Sequence, residues 1–168
     1  MVEFDFRRPS RQCSVESRAL LPGEAYFSAL VEQPNGELVR IDTSAKAWSG
    51  PPEHCVGWWQ SRVAELQKGR VYWAPADVLL AVFQHAIEQK RNDTAWVLGT
   101  LLVRKRLLTE RDGAPGKGIV RLVHTATKTE YELAEPQLDA GQIAAIQREL
   151  EESLFTDIAA NEPAAQEA

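Results

Sequence analysis

Aromatic and aliphatic residues crowd Ala25-Tyr-Phe-Ser-Ala-Leu-Val31, the chain then turns polar at Pro34-Asn35-Gly36, and apolar positions return in Glu37-Leu-Val-Arg-Ile41. Two such runs around an Asn-Gly pair predict a β-hairpin, because glycine tolerates the positive φ of a tight turn and the flanking residues favour extended backbone. In extended backbone Tyr26, Ser28 and Leu30 face opposite to Phe27, Ala29 and Val31. The prolines of Ser49-Gly-Pro-Pro-Glu53 cannot donate to a strand ladder, so a loop is expected after Trp48.

From Pro75 the period changes. Leu79, Val82, Phe83, Ala86 and Ile87 recur at spacings of three and four, which predicts a helix from Pro75 to about Lys90 with one buried stripe. A second helix is expected from a cap at Asp93, with Val97, Leu98, Leu101 and Leu102 inside and Arg104-Lys-Arg106 at its negative end. The short Arg91-Asn92 connection predicts antiparallel pairing of the two helices. Two or three antiparallel strands follow in Leu107–Leu133. Asp139 and Gln142 then have the spacing of a capping box, ahead of a helix whose inner face is Ile143, Ile146, Leu150 and Leu154.

The predicted fold is therefore α+β: a β-hairpin region, a helix pair, a small antiparallel sheet and a closing helix. Residues 1–74 form the β-rich part with a Trp-rich connector, 75–157 the helical part, and 158–168 a flexible tail. A length of 168 residues suits one compact domain.

Charge adds one contrast. The chain has 19 Lys plus Arg and 24 Asp plus Glu, for a net charge of −5. Arg104–Lys128 carries seven basic residues against two acids, whereas Thr129–Ala168 carries one against ten. The acidic closing helix is expected to lie near the basic run and neutralise it. The longest apolar stretch, Ala95–Val103, falls short of the roughly 20 residues that span a bilayer. Met1–Ser10 is too charged to be a secretory signal. These features, with Cys13 and Cys55 as reduced thiols, lead to the expectation of a cytoplasmic chain that meets no membrane.

The chemistry is sparse. Cys13, a short turn and a following hairpin have the outline of a zinc ribbon, but position 16 is Glu and the place for a second ligand pair reads Asp42-Thr-Ser-Ala-Lys46. A closed tetrahedral site needs four thiol or imidazole donors, so a degenerate, metal-free version is expected. No nucleophile elbow, phosphate loop or paired-histidine spacing occurs, and His85 and His124 read as structural. Four tryptophans, Trp48, Trp58, Trp59 and Trp73, fall within 26 positions. Trp and Arg are the side chains most enriched where partners dock, which singles out Trp58, Trp59 and Arg62 as a partner surface; the adjacent indoles point to opposite faces in extended backbone.

The succession Cys13, Arg18, Leu21-Pro-Gly-Glu24, Arg40-Ile-Asp42, Ala47-Trp48, Gly57-Trp-Trp-Gln-Ser-Arg62 and Leu101-Leu-Val-Arg-Lys-Arg106 resembles an uncharacterised bacterial family of planctomycete type. The resemblance runs from Cys13 to Phe155. It implies a single cytoplasmic domain and carries no activity, cofactor or site residue.

The functional expectation is a non-catalytic cytoplasmic module, without cofactor or metal, that binds an unidentified protein partner. One alternative is nucleic-acid binding through Arg104, Lys105, Arg106 and Arg121, disfavoured because no helix offers a set of base-reading side chains. The other is an enzyme whose site is assembled in space from distant residues.

Overall fold

A computed structural model describes residues 12–63, 72–111 and 118–156. The elements in order are β1 (Gln12–Cys13), β2 (Arg18–Ala19), β3 (Ala25–Glu32), β4 (Leu38–Ser44), β5 (Cys55–Arg62), β6 (Tyr72–Trp73), α1 (Ala76–Glu88), α2 (Asn92–Arg104), β7 (Leu108–Arg111), β8 (Ile119–His124), β9 (Glu130–Ala134), α3 (Ala140–Leu154) and β10 (Phe155–Thr156). The fold is α+β with antiparallel sheets, as the hydrophobic patterning predicts. The predicted tail 158–168 lies outside the described residues. Among the described residues no helix is long and apolar enough to cross a membrane.

Two compact units divide the chain, one of residues up to Val78 together with those from Glu151, the other Leu79–Leu150. The first is built on a three-stranded antiparallel sheet in the order β4-β3-β5. Its hairpin registers Leu30 with Arg40 and Ser28 with Asp42, while Trp59 pairs with Ser28 on the other side. The turn is a five-residue loop in which Gly36 takes φ +85°, the Asn35 carboxamide oxygen accepts the Glu37 N–H, and Gln33 N–H reaches the Glu37 carbonyl. Beside the sheet, β1 and β2 form a small hairpin, and Cys13, Leu20, Tyr26 and Val63 cluster as core with Ala47 against them. The last residues of the described chain belong to this unit. Phe155 and Thr156 pair with Trp73 and Tyr72, and the Ala74 N–H donates to Leu154 at 2.7 Å. Gly57 lets β5 pass close to α1, since a Cβ there would lie 3.1 Å from Val78 Cγ1.

The second unit packs α2 on the sheet β7-β8-β9. Gly99 faces this packing, and a Cβ there would lie 3.0 Å from Leu122 and 3.2 Å from Phe83 of α1. Both helices end by the same device. Lys90 and Arg106 take φ of 56° and 62°, so that Arg91 N–H reaches the Ala86 carbonyl and Leu107 N–H reaches that of Leu102. The predicted cap at Asp93 is corrected. α2 starts one residue earlier after Arg91, without a side-chain cap, because Asn92 instead donates its amide to the Ala134 carbonyl at 2.8 Å. The capping box of α3 forms in both directions, Gln142 N–H to Asp139 at 2.8 Å and Asp139 N–H to Gln142 at 2.9 Å. Along α3 Ile143 and Ile146 are half-buried, and Leu150 and Leu154 are buried.

Candidate functional site

Strand alternation sorts the first sheet into two chemically different faces. The outer face carries Phe27, Ala29 and Val31 from β3, Val39 and Ile41 from β4, and Trp58, Gln60 and Arg62 from β5. Trp48, from the proline-stopped loop, lies flat on Phe27 with ring centroids 4.7 Å apart and planes 7° from parallel. Trp58 leans on both, 5.9 Å from Phe27 and 5.8 Å from Trp48, tilted by 48° and 41°. Each such ring contact contributes about 0.5–1.5 kcal/mol beyond buried area, which holds the cluster in one arrangement. Even so Trp58 remains 44% exposed, on the same face of β5 as the exposed Gln60 and Arg62. Rigid aromatic area that already has its shape loses little entropy when something docks on it. Cys55, the register partner of Val31 past the irregularity at Leu30, brings a half-buried thiol to one end of this face; the rest is chiefly apolar and aromatic area, whose chemistry is that of contact.

The inner face is closed, and among its buried Tyr26, Leu30 and Trp59 it carries a polar network. Arg40 Nε donates to Asp42 at 3.0 Å and Nη2 to the Ser28 hydroxyl at 3.1 Å, while Nη1 donates to the Phe155 carbonyl. Ser28 in turn donates to Asp42 at 2.7 Å, and the Arg40 guanidinium sits 5.1 Å above the centre of the Trp59 ring. Ser61 and Thr156 share a hydrogen bond. The assignment of Trp59 to the partner surface is corrected here: it is 3% exposed, beneath Arg40, because its position in β5 has opposite parity to Trp58. Arg62 shares the parity of Trp58 and reaches the Gly23 carbonyl at 3.2 Å.

A third cluster joins two turns. Cys13 Sγ accepts the amide N–H groups of Glu16 at 3.4 Å and Ser44 at 3.3 Å. The Ser44 hydroxyl donates to Glu16 at 2.5 Å and accepts the Ala47 N–H at 3.2 Å. Arg18 bridges Glu16 at 3.0 Å and Glu24 at 2.5 Å. Burial opposes ionisation of Cys13, but the amides of Ser44 and Glu16, with the Ser44 hydroxyl and the Val15 amide, outweigh it and hold the thiol below its ordinary range. Arg18 and the Leu21 amide hold Glu24 down at about 2, and the Ser44 hydroxyl and Arg18 lower Glu16. Cys55 is free and half-buried, and burial raises its thiol.

The residues of the nucleic-acid alternative are only partly brought together. Arg104, Lys105 and Arg106 are exposed at the end of α2, where Lys105 follows the last turn and Arg106 serves the chain reversal. Arg121 is held across the ladder by Glu132 at 3.0 Å, with Glu130 adding to the field that raises it. The expected neutralisation by the acidic helix is thus corrected for Arg121, whose counter-charge comes from its register partner in β9. His124 Nδ1 is engaged with Thr127 at 2.6 Å, and His85 is buried within α1. Among the described residues no three His, Cys, Asp or Glu side chains are grouped so as to hold a metal ion.

Sequence reasoning missed Phe27 and Trp48 as members of the outer cluster. Phe27 was legible from its parity in β3; Trp48 was not, because its loop is placed by contacts distant in sequence. No known protein family, curated protein or solved structure matches the chain.

Proposed function

We propose that this chain is a non-catalytic, cytoplasmic protein-interaction module, and that its contact surface is the aromatic outer face of β4-β3-β5. The observation that carries this reading is the exposed Trp58 indole, propped by a Phe27–Trp48 stack, with the exposed Arg62 further along the same face of β5. Interface energy concentrates in such Trp and Arg anchors on preformed surfaces. The two unjoined thiols fit a reducing compartment. A protein partner is favoured over nucleic acid because Arg121 is already ion-paired and α2 ends, rather than begins, at the basic run.

The test is affinity capture with the wild-type chain, Trp58→Ala, Arg62→Ala and, as a control on exposed charge, Arg148→Ala. A partner retained by wild type and control should bind Trp58→Ala about thirtyfold more weakly, the loss of an anchor worth about 2 kcal/mol. Partners that bind Trp58→Ala and Arg62→Ala as well as wild type would remove the surface from the proposal.

A further inference from the structure

The third cluster is more regular than a chance set of polar contacts. Cys13–Glu16 and Ser44–Ala47 are two turns of equal length, one at the tip of the β1-β2 hairpin and one leaving β4. Each is closed in the same way. In the first, the Glu16 N–H points at the side chain of Cys13; in the second, the Ala47 N–H points at the side chain of Ser44. The turns face each other, since the Ser44 N–H also points at Cys13 Sγ and the Ser44 hydroxyl meets Glu16. Ala47 packs against the core cluster that contains Cys13. Two facing x-x turns, with Cys13, Glu16 and Ser44 in mutual contact and Ala47 against the same core, have the spacing of the two close ligand pairs by which a protein encloses a tetrahedral ion.

We infer that positions 13, 16, 44 and 47 are the four ligand positions of a tetrahedral metal centre in which a hydrogen-bond cluster now does the work of the ion. The present donor set does not suit a metal. Ala47 offers only a methyl group, Ser44 is a neutral hydroxyl already donating to Glu16, and the Glu16 carboxylate is shared with Arg18. The cationic role passes to the Arg18 guanidinium, which ties Glu16 to Glu24. The Cys13 sulfur gathers the two amides that fix one turn against the other. This inference does not rest on the partner surface: it uses none of Phe27, Trp48, Trp58 or Arg62.

Restoring thiols tests the inference directly. The variant Glu16→Cys/Ser44→Cys/Ala47→Cys, kept reduced, should bind one equivalent of Co2+ with the intense visible absorption of tetrahedral cobalt thiolate. Zn2+ should displace it and raise the midpoint of thermal unfolding, and a chelator should reverse both. Wild type should give no such spectrum. A register control, Val15→Cys/Ser44→Cys/Ala47→Cys, should bind at least tenfold more weakly. Zinc-dependent recovery of native tryptophan fluorescence by an otherwise unfolded triple variant counts as the same positive result. If the triple variant stays unfolded with zinc, Ser44→Cys/Ala47→Cys, which keeps Glu16 as an oxygen donor, decides by the same cobalt titration. A folded variant without tetrahedral cobalt, equal binding by the register control, or failure of both variants to fold with zinc would overturn the inference.

Discussion

Replacing Arg40 by methionine should damage the first unit far more than its position on an edge strand suggests. The guanidinium makes three hydrogen bonds and lies over Trp59, and the side chains of Arg40 and Asp42 are only 10% and 1% exposed. Methionine keeps much of the volume but takes away the charge and the hydrogen bond that Arg40 gives the buried Asp42 carboxylate. Breaking a buried pair from one side costs about 3–5 kcal/mol, and the contact with the ring adds about 0.5–2 kcal/mol that is not fully additive. Because the total stability of a domain is about 5–15 kcal/mol, the variant should sit near the edge of folding, with Tm lower by about 6–20 °C. Arg40→Lys should recover less than half of the loss, since an ammonium cannot reach Asp42, Ser28 and the Phe155 carbonyl in one plane. Arg40→Met/Asp42→Leu should return most of it, because no charge is then left buried. With Asp42→Leu as the other single variant, urea unfolding followed by tryptophan fluorescence gives the four free energies of the cycle: wild type, the two single variants and the double variant. A single variant within about 1 kcal/mol of wild type, or a cycle with no coupling, would refute the buried-pair reasoning.

Two other perturbations follow from the geometry. The folded state holds Glu24 at about 2, chiefly through Arg18 and then the Leu21 amide, below its ordinary value. Its stabilisation is therefore complete above the ordinary glutamate range and is lost as pH falls through that range toward about 2; Glu24→Gln should flatten the acid limb of stability against pH, and an unchanged limb would contradict the assignment. Lys90 and Arg106 take left-handed backbone that costs an L-residue free energy, so Lys90→Gly and Arg106→Gly should each raise stability by about 0.5–1 kcal/mol in denaturant titration. A loss in both would mean that their side chains matter more than their backbone.

Local rules made much of the fold legible and reached only part of the candidate site. Parity along β3 and β5 separates Trp58 from Trp59, the Asn35-Gly36 pair marks the hairpin turn, and Asp139 with Gln142 marks the start of α3, because each depends on neighbours within a few residues. Partners far apart in sequence were invisible: the Arg40 bond to Phe155 spans 115 positions, and Ser61 meets Thr156 across 95. The return of Phe155 and Thr156 to the first unit is of this kind. The missed start of α2 has the same origin, since a tertiary bond from Asn92 to Ala134 overrode the local preference for Asp93 as cap. Both turns of the Cys13 cluster lie in plain sight in the sequence; their facing arrangement needed the structure.

The central claim is that the exposed indole of Trp58 is where this protein meets its partner. Site-specific photocross-linking in the native cell tests it most directly, with a photoreactive residue replacing Trp58 in one strain and the exposed Arg148 in another. A discrete protein adduct from position 58, absent at position 148, is the predicted result. Equal labelling from both positions, or adducts from 148 alone, would contradict it.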